Sequence, residues 1–111
     1  MRRTAITLLI TLAVLLGSAG VSWSADFAKG QAAFDERDYK TALREWEPLA
    51  KLGDAKSQYN LGQMYRKGRD VFQDYKTAVK WYRLAAEQGH TKSQYNLAKL
   101  YLKGRGVPQN Y

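Results

Sequence analysis

The sequence contains no cysteine. That excludes a disulfide framework and any thiolate metal site. It has one histidine, His90, which excludes a multi-histidine metal site within this chain. No window alternates apolar and polar residues for long enough to read as a strand. Acidic residues are scarce, with 10 Asp and Glu against 18 Lys and Arg, for a formal net charge of +8. This balance implies solubility and attraction to anionic partners, not a fold. Basic proteins of this size are often simply solvated, and nucleic acid is not an expected partner. Ser-x-x-Lys, Gly-x-Ser-x-Gly, His-Glu-x-x-His and Walker-type loops are all absent, so the chain reads as non-catalytic with no cofactor. At 111 residues there is room for one small domain at most.

The first segment reads separately from the rest. Met1-Arg2-Arg3 is a short positive region, Ala5 to Leu16 is a nearly pure apolar run, and Gly17 to Gly20 are small residues. This is the layout of a secretory signal peptide. The apolar core is shorter than the roughly 20 residues a spanning helix needs. Ser22 and Ser24 supply the small side chains that cleavage wants, so the expected signal peptide is residues 1–24. An uncleaved anchor is the alternative. The folded part is expected outside the cytoplasm, periplasmic or secreted, with membrane contact only through the leader.

The remainder repeats itself. DYKTA stands at Asp38–Ala42 and again at Asp74–Ala78, and KSQYNL at Lys56–Leu61 and again at Lys92–Leu97, both at an offset of 36 residues. A period in the range of 20–50 residues marks a solenoid of stacked supersecondary units. Apolar residues spaced three or four apart predict helices over Ala25–Glu36, Asp38–Leu52, Asp54–Lys67, Asp74–Gln88 and His90–Lys103. Asp38 offers an N-cap, Thr91 and Gln94 have capping-box spacing, and Gly53 and Gly89 end two helices. Tight turns at Gly53-Asp54 and Gly89-His90 alternate with longer loops over Lys67–Gln73 and Lys103–Gln109. The pattern is an all-α solenoid of antiparallel helix pairs. Residues 25–53 form a degenerate first pair with a loop four residues shorter, 54–89 a complete unit, and 90–111 a partial second unit.

The unit DAKSQYNLGQMYRKGRDVFQDYKTAVKWYRLAAEQG, Asp54 to Gly89, resembles a Sel-one-like repeat (SLR), a longer-looped relative of the tetratricopeptide repeat. The resemblance is carried by Ala55, Tyr59, Leu61-Gly62, Tyr65, Gly68, Val71, Asp74-Tyr75, Ala78, Trp81-Tyr82, Ala85-Ala86 and Gly89. It continues through Tyr95, Leu97, Tyr101, Gly104, Gly106-Val107 and Tyr111. Three departures stand out. Asp70 replaces the second loop glycine, Ala98 stands where Gly62 does, and Trp46 lies one place beyond the position of Trp81. The last implies a rotated packing face for the first long helix. The chain stops where the next long helix would begin, so Leu97, Leu100 and Tyr101 are expected to present uncovered apolar surface. Truncation of a longer array, or completion by another chain, would account for this.

In such solenoids the first helix of each pair lines the concave face. Lys56, Tyr59, Asn60, Gln63, Arg66 and Lys67 fall on one side of one such helix, and Lys92, Tyr95, Asn96, Lys99 and Lys103 on one side of the next. Lysines, amides and phenols with hardly any acids suit carboxylates and extended peptide backbone. The resemblance implies a protein or peptide partner, since related tetratricopeptide domains hold peptide C-termini on a similar face. The plainer alternative is an ordinary solvated face. Two other functions stay open: a cell-envelope hydrolase acting on a β-lactam or peptidoglycan, and a binder of anionic envelope polymers. The paired cysteines of secreted relatives linked to β-lactams are absent. His90 reads as an exposed cap residue.

Overall fold

The computed structural model describes residues 25–107, so the expected signal peptide and residues 108–111 lie outside the described residues. The helices are α1 (Phe27–Asp35), α2 (Tyr39–Lys51), α3 (Ala55–Lys67), α4 (Tyr75–Glu87) and α5 (Thr91–Lys103). Each packs on its neighbours in sequence, α1 on α2 through to α4 on α5. None of them is long and apolar enough to cross a membrane.

Each helix begins on a side-chain cap. Asp26, Asp38, Asp54 and Asp74 accept from the backbone N–H of Lys29, Thr41, Ser57 and Thr77. These bonds satisfy amides that have no partner inside the helix. They also hold the Asp38 and Asp74 carboxyls below the usual carboxylate range, with the threonine hydroxyls as the largest cause. The fifth cap is His90, which accepts from the N–H of Ser93. This corrects the capping-box expectation, because Thr91 is the first helical residue. Asp70 keeps the left-handed conformation expected of the glycine it replaces, at φ 62° against 81° at Gly106.

The core follows the 36-residue period. Ala42 and Ala78 are fully buried, as are Ser57 and Ser93. Met64 and its counterpart Leu100 are both buried. Leu100 packs with Ala78, Val79 and Tyr82, so it is not part of an uncovered surface as expected; Leu97 and Tyr101 are half-buried. The polar links repeat as well. Gln58 donates to the Ala50 carbonyl at 3.1 Å, and Gln94 donates to the Ala86 carbonyl at 3.1 Å. Arg69 donates to the Tyr39 hydroxyl and lies over its ring, as Arg105 does with Tyr75. Equivalent residues thus meet equivalent surroundings, which is what stacked copies of one unit require.

The expected rotation of α2 is not found. At the 36-residue offset Trp46 is the counterpart of Tyr82, not of Trp81. Both aromatic rings lie over a glycine of the preceding helix. A Cβ on Gly30 would sit 2.4 Å from Trp46 Nε1, and one on Gly62 would sit 2.6 Å from Tyr82 Cδ1. The pair of helices in each unit meets through this ring-on-glycine contact, with the same face of the long helix in both.

Candidate peptide-binding clefts

The ring-on-glycine contact also places the polar groups of the second unit. Tyr82 is fully buried. Burial pushes its hydroxyl pKa up, while Arg66 beside it pulls the other way. The phenol therefore stays protonated and donates to Gln63 Oε1. Arg66 Nε donates to the Tyr82 hydroxyl at 3.0 Å, and Arg66 also reaches Gln63 Oε1 at 3.0 Å. Asn96 Nδ2 joins the same oxygen from α5 at 3.3 Å. One amide oxygen so ties together α3, α4 and α5.

A cleft lies on each side of this hub. The first runs between α1 and α3, over Phe34, Trp46 and Tyr59, with Asn60, Gln63 and Lys67 among its walls. The second runs between α3 and α5 and is lined by Arg66, Asn96, Lys99, Lys103 and Arg105, together with Tyr75 and Leu100. They are the same cleft one unit apart, since Asn60, Lys67 and Arg69 in the first correspond to Asn96, Lys103 and Arg105 in the second. Among the described residues, no Asp or Glu lines either. Their volumes, about 100 and 60 Å³, are small beside the roughly 300–1,000 Å³ of a drug-sized pocket. Each has room for one side chain or one anionic group.

The expected groove residues are not all brought together. Tyr59, Asn60, Gln63 and Lys67 line the first cleft, and Arg66, Asn96, Lys99 and Lys103 the second. Lys56 and Lys92 line neither; both are exposed, and Lys56 stands 5.9 Å from the Phe27 ring centroid. Tyr95 is 65% exposed and lies under Lys99 Nζ, 5.2 Å from its ring centroid. Sequence reasoning missed Phe34, Trp46, Arg69 and Arg105 as cleft residues. The loop arginines could have been found, because KGR occurs at Lys67 and again at Lys103.

His90 is the cap that was expected, but it is not exposed. It is half-buried, with its ring centroid 4.9 Å from that of Tyr59. Nδ1 faces the Ser93 hydroxyl at 2.9 Å and the Ser93 N–H at 3.3 Å, so it must keep its lone pair. Burial holds the His90 pKa below the ordinary value of about 6.5, and Lys92 and Lys56 push the same way. The folded state thus binds the proton less readily than the unfolded chain. His90's stabilisation is complete above about pH 6.5 and is lost as pH falls through the lower folded value. Melting curves at about pH 7.5 and 5 should show this loss, and His90→Asn, which caps without titrating, should reduce it. An unchanged pH dependence in His90→Asn would remove the assignment.

Comparison with known proteins agrees with this architecture. The Sel1 repeat family model matches residues 55–90 and 91–111, and the chain belongs to the Sel1 repeat family. A Sel1 repeat protein from Oxalobacter formigenes is 40% identical, with a TM-score of 0.64, over 66% of this chain and 30% of that one. A protective antigen present in uropathogenic Escherichia coli strains, displaying an SLR fold, is 34% identical, with a TM-score of 0.73, over 77% of this chain and 19% of that one. The chain thus spans less than a third of the length of either. No curated protein matches it. Sel1 repeats are generally protein-interaction scaffolds and typically non-catalytic.

Proposed function

We propose that the chain is an exported, non-catalytic scaffold that binds an acidic or C-terminal peptide segment of a partner protein through its α1–α3–α5 face. The observation that carries this reading is the second cleft, where Arg66, Lys99, Lys103 and Arg105 line one small space with no acid among its described walls. Side chains that carry guanidinium and ammonium groups around a restricted volume recognise a carboxylate by charge-assisted hydrogen bonds. Asn96 adds an amide for the ligand backbone. The ring-on-glycine contacts fix the helices that hold these side chains in place. Export rests on the leader-like layout of residues 1–24.

The test is fluorescence anisotropy with labelled peptides carrying two aspartates, with free and with amidated C-termini. Lys99→Glu with Lys103→Glu should weaken binding about tenfold or more, because like charges then face the ligand. Affinity should also fall as salt rises. Unchanged affinity in the double variant would remove the second cleft as the site. A difference between free and amidated peptides separates terminal from side-chain carboxylates.

A further inference from the structure

We infer that the first cleft seats an apolar side chain of the same ligand whose acidic group enters the second, so the chain selects segments in which the two residue types stand close together. This rests on the peptide-binding reading above and adds the second half of the recognised chemistry.

The hub beside the second cleft is built from Gln63, Arg66, Tyr82 and Asn96. The corresponding positions one unit earlier are Gln31, Phe34, Trp46 and Asn60. Trp46 has no hydroxyl to hold Gln31, and Phe34 puts a phenyl ring where Arg66 has a guanidinium. Gln31 instead donates to Asp35 at 3.0 Å. The Asn60 amide is left with no side-chain partner among the described residues, whereas Asn96 reaches Gln63. The polar hub has been emptied, and a cleft over aromatic rings lies in its place.

The rings ask for nothing polar. Trp46 Nε1 already donates to the Phe27 carbonyl at 3.1 Å, and Phe34 packs edge-on to Tyr39 and tilted against Trp46. A volume of about 100 Å³ fits a single aliphatic side chain, and the free Asn60 amide beside it can bond the ligand's backbone. The clefts are neighbours, because Gln63 lines the first, Asn96 lines the second, and the two amides are in contact at 3.3 Å. Arg66, Lys99, Lys103 and Arg105 line the second cleft, whereas the first keeps only Lys67 and Arg69, with Phe34 and Gln63 where Arg66 and Lys99 stand. The denser charge of the second fixes the acidic part of the occupant, and the aromatic floor of the first fixes its apolar part.

The probe is a set of labelled, acetylated peptides with a fixed pair of aspartates and either leucine or serine at each neighbouring position in turn. At one position the leucine peptide should bind about tenfold tighter than its serine counterpart. Phe34→Arg, which copies the second cleft into the first, should reduce that preference to about twofold or less and favour a third aspartate there. Should that variant fail to fold, the unaltered chain decides: the Trp46 indole N–H resonance should shift with the leucine peptide and not with the serine peptide. Equal binding of leucine and serine peptides at every position would overturn this inference and leave acidic recognition standing. Failure of any aspartate peptide to bind would remove both.

Discussion

Trp46→Ala should lose about 3–5 kcal/mol of stability, the usual cost of emptying a large aromatic site. That is a large part of the roughly 5–15 kcal/mol that holds a small domain together. Trp46 is 1% exposed. It packs with Ala42, Ala50, Leu61, Met64 and Trp81, touches Phe27 and Phe34 by its rings, and covers Gly30. Residues of four helices, α1 to α4, therefore surround the hole its removal leaves. Alanine also breaks the bond from Nε1 to the Phe27 carbonyl. Circular dichroism melts should show a fall of well over about 10 °C, since each kcal/mol shifts the midpoint of so small a domain by about 4–8 °C. A fall of only about 2 °C would mean that Trp46 is not the centre of the first unit.

Gly62→Val should destabilise by about 1–3 kcal/mol through overpacking. The sign is informative, because replacing an unconstrained helix-interior glycine usually stabilises. Here the new Cβ would lie 2.6 Å from both Cδ1 and Cε1 of the Tyr82 ring. That ring cannot easily swing aside, because its hydroxyl is bonded to Gln63 and Arg66. Relief must come from moving α3 away from α4, which also pulls the second cleft apart. Ala98→Val at the equivalent position of α5 supplies the control. Ala98 is exposed, and its substitution should change stability by no more than about 0.5 kcal/mol. Equal effects at the two positions would contradict the ring-on-glycine account.

Much of the fold is legible because several signals agree at the same places. Asp74 caps, Gly89 stops, and the apolar spacing between them is helical, so the expected Asp74–Gln88 differs from α4 only by its two cap residues. The cap at His90 is legible but its burial is not, because nothing in the local sequence shows that Tyr59 of α3 lies against its ring. The orientation of α2 is not legible from residue identity, because matching tryptophan to tryptophan pairs Trp46 with Trp81, while the packing equates Trp46 with Tyr82. The clefts were legible on one side only. Asn60, Arg66 and Lys99 follow helical spacing, but Phe34 and Trp46 look like ordinary core until they are set against Arg66 and Tyr82. That match needs an offset of 32 residues in α1 and 36 in α2, because the first loop is four residues shorter.

The most direct measurement sets two charge reversals of equal size against each other. Lys99→Glu with Lys103→Glu alters the second cleft, while Lys56→Glu with Lys92→Glu alters exposed lysines that line neither cleft. Both change the net charge equally, so long-range attraction is held constant. Titration with a labelled acidic peptide should show about tenfold or greater loss in the first pair and no more than about a threefold change in the second. Equal losses in the two pairs would show that net charge alone attracts the peptide, and that the cleft between α3 and α5 is not where it binds.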